Sequence, residues 1–230
     1  MPVLYHHPMS TASRFVRLIF SEYGVHADLI EEQTWEKRKD FLTLNPAATL
    51  PVFVDDNMRA LCGATIISEF LDETSGVLKR DRRLLAEDPF QRAEIRRLTE
   101  WFLFKMEQDV TRTLVKERVF KLQMTPDQGG GAPDSKMLRT ARSNIRQHMR
   151  YLAWLAGSRT WLAGERLSYA DLAAAAALSV LDYLGEIDWA ESPPVKEWYQ
   201  RMKSRPSFRP LLNDRIRGVT PVPHYADLDF

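Results

Sequence analysis

The spacing of apolar residues changes character about a third of the way along the chain. Before that point short apolar runs surround one amphipathic stretch; after it nearly every segment repeats with helical spacing. Residues 2–6 (PVLYH) predict a short strand, and Ala12 to Tyr23 predict a helix, because Phe15, Leu18, Ile19 and Tyr23 fall on one face. Val25 to Ile30 predict a second strand, and Trp35 to Leu44 a short charged helix or turn. Leu50 to Val54 and Met58 to Leu61, separated by Asp55-Asp56-Asn57, predict a hairpin. Ala64 to Glu73 predict the helix that follows. The order is β-α-β, a connection, then β-β-α. From Pro89 the pattern predicts helices at 89–122, 135–157, 168–185 and 194–204.

Two segments interrupt the pattern. Residues 76–88 (GVLKRDRRLLAED) are charged with few periodic apolar positions, which suits an interdomain linker lying on the surface, Lys79-Arg80-Asp81-Arg82-Arg83 included. Residues 125–134 hold Gly129-Gly130-Gly131 between two helices, without the preceding strand or the Lys-hydroxyl pair of a phosphate loop, and predict a helix connection. Ser168-Tyr169-Ala170-Asp171 fits a capping box opening a helix, followed by an alanine run that permits close packing.

Length and composition then set bounds. The 230 residues are 44% hydrophobic and 27% charged, enough for two modest cores. A formal net charge of +1 disfavours a general binder of nucleic acid. Cys62 stands alone, so neither a disulfide framework nor a multi-cysteine metal site is expected, and no metal ligand set is visible. No apolar run reaches membrane-spanning length and the first residues lack a signal peptide's features; no membrane insertion and a cytoplasmic setting are the expectations.

Asn45-Pro46 and Leu50-Pro51-Val52-Phe53 in a small mixed domain, followed by a helical domain with Ser168-Tyr169-Ala170-Asp171, resemble the cytosolic glutathione transferases over nearly the whole chain. The resemblance implies an α+β two-domain glutathione transferase fold, with an N-terminal thioredoxin-like α/β domain and a C-terminal all-α domain. It places the first domain at 1–77, a linker at 78–88, the helical domain at 89–218 and a tail at 219–230. It also implies a homodimer. Pro51 would be the family's cis-proline, with Leu50 offering backbone hydrogen bonds to the cysteinyl part of glutathione. Chemistry in the family is thiolate activation at the start of the first helix, where a donor and the positive helix end stabilise the anion. Met9-Ser10-Thr11-Ala12-Ser13 resembles the serine and cysteine classes and puts Ser10 at that position, with Thr11 and Ser13 as weaker stand-ins. Ser10 is equally a favoured helix cap with no catalytic duty.

Aligned on Ser68-Glu69-Phe70-Leu71-Asp72-Glu73, Gly63 and Ala64 occupy positions where the family has an acidic residue and a serine gripping the γ-glutamyl end of glutathione. Neither carries a polar side-chain atom. Loss of two charge-assisted hydrogen bonds at roughly 1.5–3 kcal/mol each weakens binding on the order of a hundredfold or more. No cofactor is therefore expected, glutathione itself only weakly. Cys62 is expected to be a small buried hydrophobe. Of His6 and His7, alternation points one inward, as a structural residue rather than a base. Trp101, Phe102 and Phe104 could line a co-substrate cleft or pack between domains.

Within the family, Glu31 to Glu36, Met58 to Glu73, Asp182 to Trp189 and His224 to Phe230 resemble the FtsZ-binding, glutathione-transferase-like cell-division proteins of alphaproteobacteria. This implies a non-catalytic regulator at the division site with FtsZ polymer as partner; the alternative is an active transferase using Ser10. The tail, residues 219–230, ends with Tyr225, Leu228 and Phe230 interleaved with Asp227 and Asp229, a pattern that suits a docking peptide or a segment folded back on its own domain. Trp35, among Glu31, Glu32, Glu36 and Lys37, is a further partner-contact candidate.

Overall fold

The computed structural model describes residues 1–230. The first domain runs β1 (Val3–His6), α1 (Thr11–Tyr23), β2 (Asp28–Glu31), α2 (Lys39–Leu44), β3 (Val52–Val54), β4 (Ala60–Cys62) and α3 (Ala64–Thr74). Its strands form one sheet in the order β2-β1-β3-β4, with β1 parallel to β2 and antiparallel to β3, and β3 antiparallel to β4. The expected hairpin pairs Phe53 with Leu61. Alternation along β1 sends Leu4 into the main core, while Tyr5 turns to the opposite face and meets Phe41 of α2 at 5.7 Å between ring centroids.

α1 forms where the apolar period placed it, because Ser10 caps it by accepting the Ser13 N–H at 3.2 Å and Gly24 closes it in the left-handed region at φ 70°. Its buried face includes Phe15, Leu18, Ile19 and Tyr23.

In the second domain, α4 (Pro89–Glu100) continues unbroken through π-wound turns at Trp101–Lys105 and Glu107–Thr111 into α5 (Arg112–Val115). A third such turn at Lys116–Phe120 leads to α6 (Lys121–Gln123). Asp88 caps this rod through the Gln91 N–H at 2.8 Å, with Pro89 pre-set for the first turn. Then come α7 (Ser135–Ser158), α8 (Tyr169–Tyr183), α9 (Pro193–Lys203) and α10 (Arg209–Leu212). The triple glycine is the connection it was expected to be, Gly129 turning at φ 93° between α6 and α7. At the start of α8 the Asp171 carboxylate accepts the Ser168 N–H and hydroxyl, each at 3.0 Å. Every residue of α8 is buried, and its Ala173–Ala177 run lets the backbones of neighbouring helices approach closely.

A single apolar cluster joins the two domains. The segment between them departs from a surface linker: Leu84 and Leu85 are buried, and Arg83 pairs with the buried Asp72 at 2.6 Å. Two leucines in a charged run show no period, which is why the pattern missed them.

Candidate functional site

Between the end of β1 and the start of α1 the chain turns through Pro8 and Met9 and delivers three hydroxyls in quick succession. Thr11 donates to the Glu107 carboxylate at 3.0 Å, and Ser13 accepts the His7 N–H at 3.3 Å, so both are occupied by structure. Ser10 alone of the three lines the cleft between the domains. Its oxygen accepts one capping N–H and keeps its own proton to donate. The expected position of Ser10, at the open end of α1, is thus where the fold puts it.

The cleft has a volume of about 390 Å³. Its first-domain wall carries His7, Met9, Ser10, Trp35 and Leu50; its second-domain wall carries Glu107, Arg112, Lys116 and Phe120. His7, Trp35 and Phe120 pack as a ring cluster, with His7–Phe120 at 4.9 Å, Trp35–Phe120 at 4.8 Å and His7–Trp35 at 6.0 Å. Both acids of the cleft are engaged. Glu32 is buried and bound by Arg38 at 2.7 Å. Glu107 accepts from Thr11 and Thr111, and desolvation raises its pKa, which disfavours its charge. Arg112 and Lys116 are exposed, and neither enters an ion pair or side-chain hydrogen bond. The cleft therefore holds two unpaired cations, while both of its acids are engaged by the protein itself.

The stretch expected to grip glutathione is divided. The Leu50-Pro51 bond is cis and Leu50 lines the cleft, but Pro51, Gly63 and Ala64 do not. The Gly63 N–H is used by Pro51 O at 2.9 Å, and Gly63 sits at φ 97°, a backbone region in which a side chain is strained. No side chain caps α3 and no acid stands in its first turn. The bare helix start is thus a feature of the backbone as well as of the sequence.

The residues proposed for partner contact do not form one patch. Trp35 is half-buried against His7 and Phe120 and faces the cleft rather than the outer surface. Tyr225 requires correction: it is only 1% exposed, and its hydroxyl accepts from Arg14 at 2.8 Å and donates to Leu211 O at 3.0 Å. Phe230 likewise folds back, meeting Trp189 at 5.0 Å, stacking on His224 at 5.4 Å and lying 4.1 Å from Lys203 Nζ. An aromatic that can cover buried polar groups of its own chain is drawn inward, and sequence pattern does not separate that from an exposed anchor. Asp227, Leu228 and Asp229 remain at the surface.

Other expectations also change. Both His6 and His7 are buried, not one of them, because the strand ends at His6 and alternation stops applying. Burial first, then Arg17, pushes the His6 pKa down to about 3; burial and Arg14 push His7 to about 4. Cys62 is half-buried, its thiol 3.5 Å from Leu44 O and its pKa raised by desolvation. Trp101, Phe102 and Phe104 do not reach the cleft: Phe102 is core, Trp101 packs on Tyr151 at 4.6 Å, and Phe104 is exposed. Their places are taken by Arg112, Lys116 and Phe120, which sequence reasoning passed over although they recur every fourth residue on one helix face. No group of three or more His, Cys, Asp or Glu stands together to hold a metal ion. No helix is long and apolar enough to cross a membrane.

This domain pairing, with a cleft at the start of α1, defines a class, and sequence families bear it out. The glutathione S-transferase N-terminal domain family matches residues 9–74 and its C-terminal domain family residues 115–206. The chain belongs to the glutathione S-transferase family. Among its relatives, the FtsZ-localized protein A of Caulobacter vibrioides is 40% identical over 99% of this chain and 97% of that protein. A solved structure described as FzlA from C. crescentus superposes with a TM-score of 0.90 at 41% identity, covering 100% of this chain and 99% of that one. Another, described as a glutathione S-transferase from Sinorhizobium meliloti 1021, superposes at 0.99 with 82% identity over the full length of both chains.

Proposed function

We propose that this chain is an FtsZ-filament-associated regulator of bacterial cell division, built on a glutathione transferase scaffold whose glutathione site is eroded. The observation that carries this reading is the start of α3, where Gly63 and Ala64 provide neither acid nor hydroxyl and no side-chain cap replaces them. The extensive likeness to a relative named for its localisation with FtsZ supports the choice of partner. In this reading the protein works as a homodimer at the division site. It contacts the polymer through the mouth of the cleft at Trp35 and through the exposed tail tip, Asp227, Leu228 and Asp229, while Tyr225 and Phe230 fasten the tail to its own domain.

Co-sedimentation with FtsZ polymer tests it. The wild-type protein should pellet with polymer, and the combined variant Asp227→Asn, Leu228→Ala, Asp229→Asn should pellet less at unchanged thermal stability. Full retention of binding by that variant and by Trp35→Ala removes the proposed contact surfaces; failure of the wild type to pellet removes the partner. A second reading is favoured by one observation, the free hydroxyl proton of Ser10 facing the cleft. In that reading Ser10 donates to a glutathione thiolate, and conjugation to an aryl halide would be measurable and lost in Ser10→Ala.

A further inference from the structure

α7 carries a charge pattern that its packing does not require. Its 24 residues hold Lys136, Arg139, Arg142, Arg146 and Arg150 but none of the chain's 31 Asp and Glu, in a protein whose net charge is only +1. The four arginines recur every third or fourth residue, so they line up along one outer face over about 17 Å. Arg142 is pinned by Glu186 at 2.8 and 2.9 Å. Arg139, Arg146 and Arg150 are exposed, and their side chains enter no ion pair or hydrogen bond. Like charges four apart on a helix repel, and no acid on α7 offsets that repulsion.

Beside this face runs a groove of about 500 Å³, between α7 and the turn that joins α8 to α9. Arg142, Arg146 and Arg150 form its near bank. Ile145, Met149 and Ile187 are buried down to their last few per cent of surface and form an apolar floor. Asp188 and Glu191, both exposed, stand on the far bank. The far bank decides what can lie there. A flat anionic surface, whether bilayer or duplex, would meet these two acids together with the arginines and be repelled by them. A narrow extended strand can meet the arginines alone. Successive arginines of the bank are about 6 Å apart along the helix, and alternate side chains of an extended peptide repeat at about 6.6 Å. Acids at every second residue therefore match the bank, each carboxylate facing a guanidinium fork that fits it. The residues between, directed away from the arginines, suit apolar side chains that cover the floor.

We propose that this groove docks an extended acidic segment of a partner protein, with acidic and apolar residues alternating and the carboxylates paired with Arg146 and Arg150. The surface shares no residue with Trp35 or the tail tip, and it is independent of the FtsZ reading. Binding is non-covalent throughout.

Fluorescence anisotropy of the labelled peptide Asp-Leu-Glu-Val-Asp-Leu-Glu, titrated with the full-length protein, tests the proposal beside the amide peptide Asn-Leu-Gln-Val-Asn-Leu-Gln. The acidic peptide should bind about tenfold or more tighter, the scale of one charge-assisted hydrogen bond. The double variant Arg146→Gln, Arg150→Gln should erase that preference, and Glu191→Gln should tighten the acidic peptide. All three side chains are exposed and unpaired, so these variants should melt as the wild type does. Co-sedimentation with phosphatidylserine vesicles examines a lipid surface as the alternative. Equal binding of the two peptides, no binding of either, a preference that persists in the double variant, or vesicles bound where the peptide is not would each overturn it.

Discussion

Two places where the domains meet are built on opposite principles. At the seam beneath the cleft, polar groups are buried and paired. Arg14 is fully buried, donating to Pro8 O at 2.5 Å and to Ser179 Oγ and the Tyr225 hydroxyl at 2.8 Å each. Beside it Arg17 grips Asp214 with two bonds of 2.8 and 2.9 Å. Higher up, Tyr23 accepts the Leu84 N–H at 3.1 Å, and Tyr169 donates to Ser68 O at 3.0 Å. The tail is part of this seam through Tyr225. A few ångströms of chain away, the cleft holds unpaired cations, Arg112 and Lys116. The same domains are locked along one edge and left open along the other, and the contrast separates what stabilises the fold from what is available to a ligand.

The largest expected effect breaks the closed side. Arg14→Ala removes the buried cation that Ser179 and Tyr225 share and leaves Pro8 O without its donor, and should cost about 3–5 kcal/mol, a fall of roughly 10 °C in Tm by thermal denaturation.

Next in size is acid sensitivity. Above about pH 6.5 the histidines are neutral in folded and unfolded chains alike. As pH falls from there, the unfolded chain takes up protons that the folded chain refuses until about 4 at His7 and about 3 at His6. Stability therefore falls with falling pH across that window, by about 3 kcal/mol for His7 alone. Denaturant melts between pH 7 and pH 4 should show the slope, and His7→Phe should flatten it.

Smaller again is Tyr225→Phe, which removes a hydroxyl from Arg14 and Leu211 and should cost about 1–2 kcal/mol in urea melts. A cost below measurement would mean the tail is not fastened there. Ser10→Ala removes the α1 cap and should cost about 1 kcal/mol. On the open side, Arg112→Gln should stay within about 0.5 kcal/mol of wild type, since nothing in the fold depends on that side chain. A large loss there would erase the distinction between the two regions.

Much of the architecture was legible in the sequence because local physics dictates it. Phe15, Leu18, Ile19 and Tyr23 keep helical spacing, Asp55-Asp56-Asn57 turns a hairpin, and Ser168 with Asp171 marks a helix start, so each element declares itself within a few residues. The site was legible only at its first-domain wall: Ser10 and Leu50 lie close to the strands and turns that position them. Its second wall depends on how two domains dock, and Arg112 and Lys116 look like any solvated helix face until the first domain is seen opposite them. The same dependence leaves the tail open, from sequence, between a docking peptide and a segment folded back on its own domain. Tyr225 and Phe230 resemble exposed anchors in sequence, but buried Arg14 and Lys203, far away in the chain, draw them inward.

The central claim is that the scaffold has kept its cleft and lost its grip on the family's tripeptide. Calorimetric titration of the purified protein with glutathione at neutral pH tests that most directly. The account predicts millimolar or undetectable binding, unchanged by Ser10→Ala; micromolar binding that Ser10→Ala weakens would contradict it.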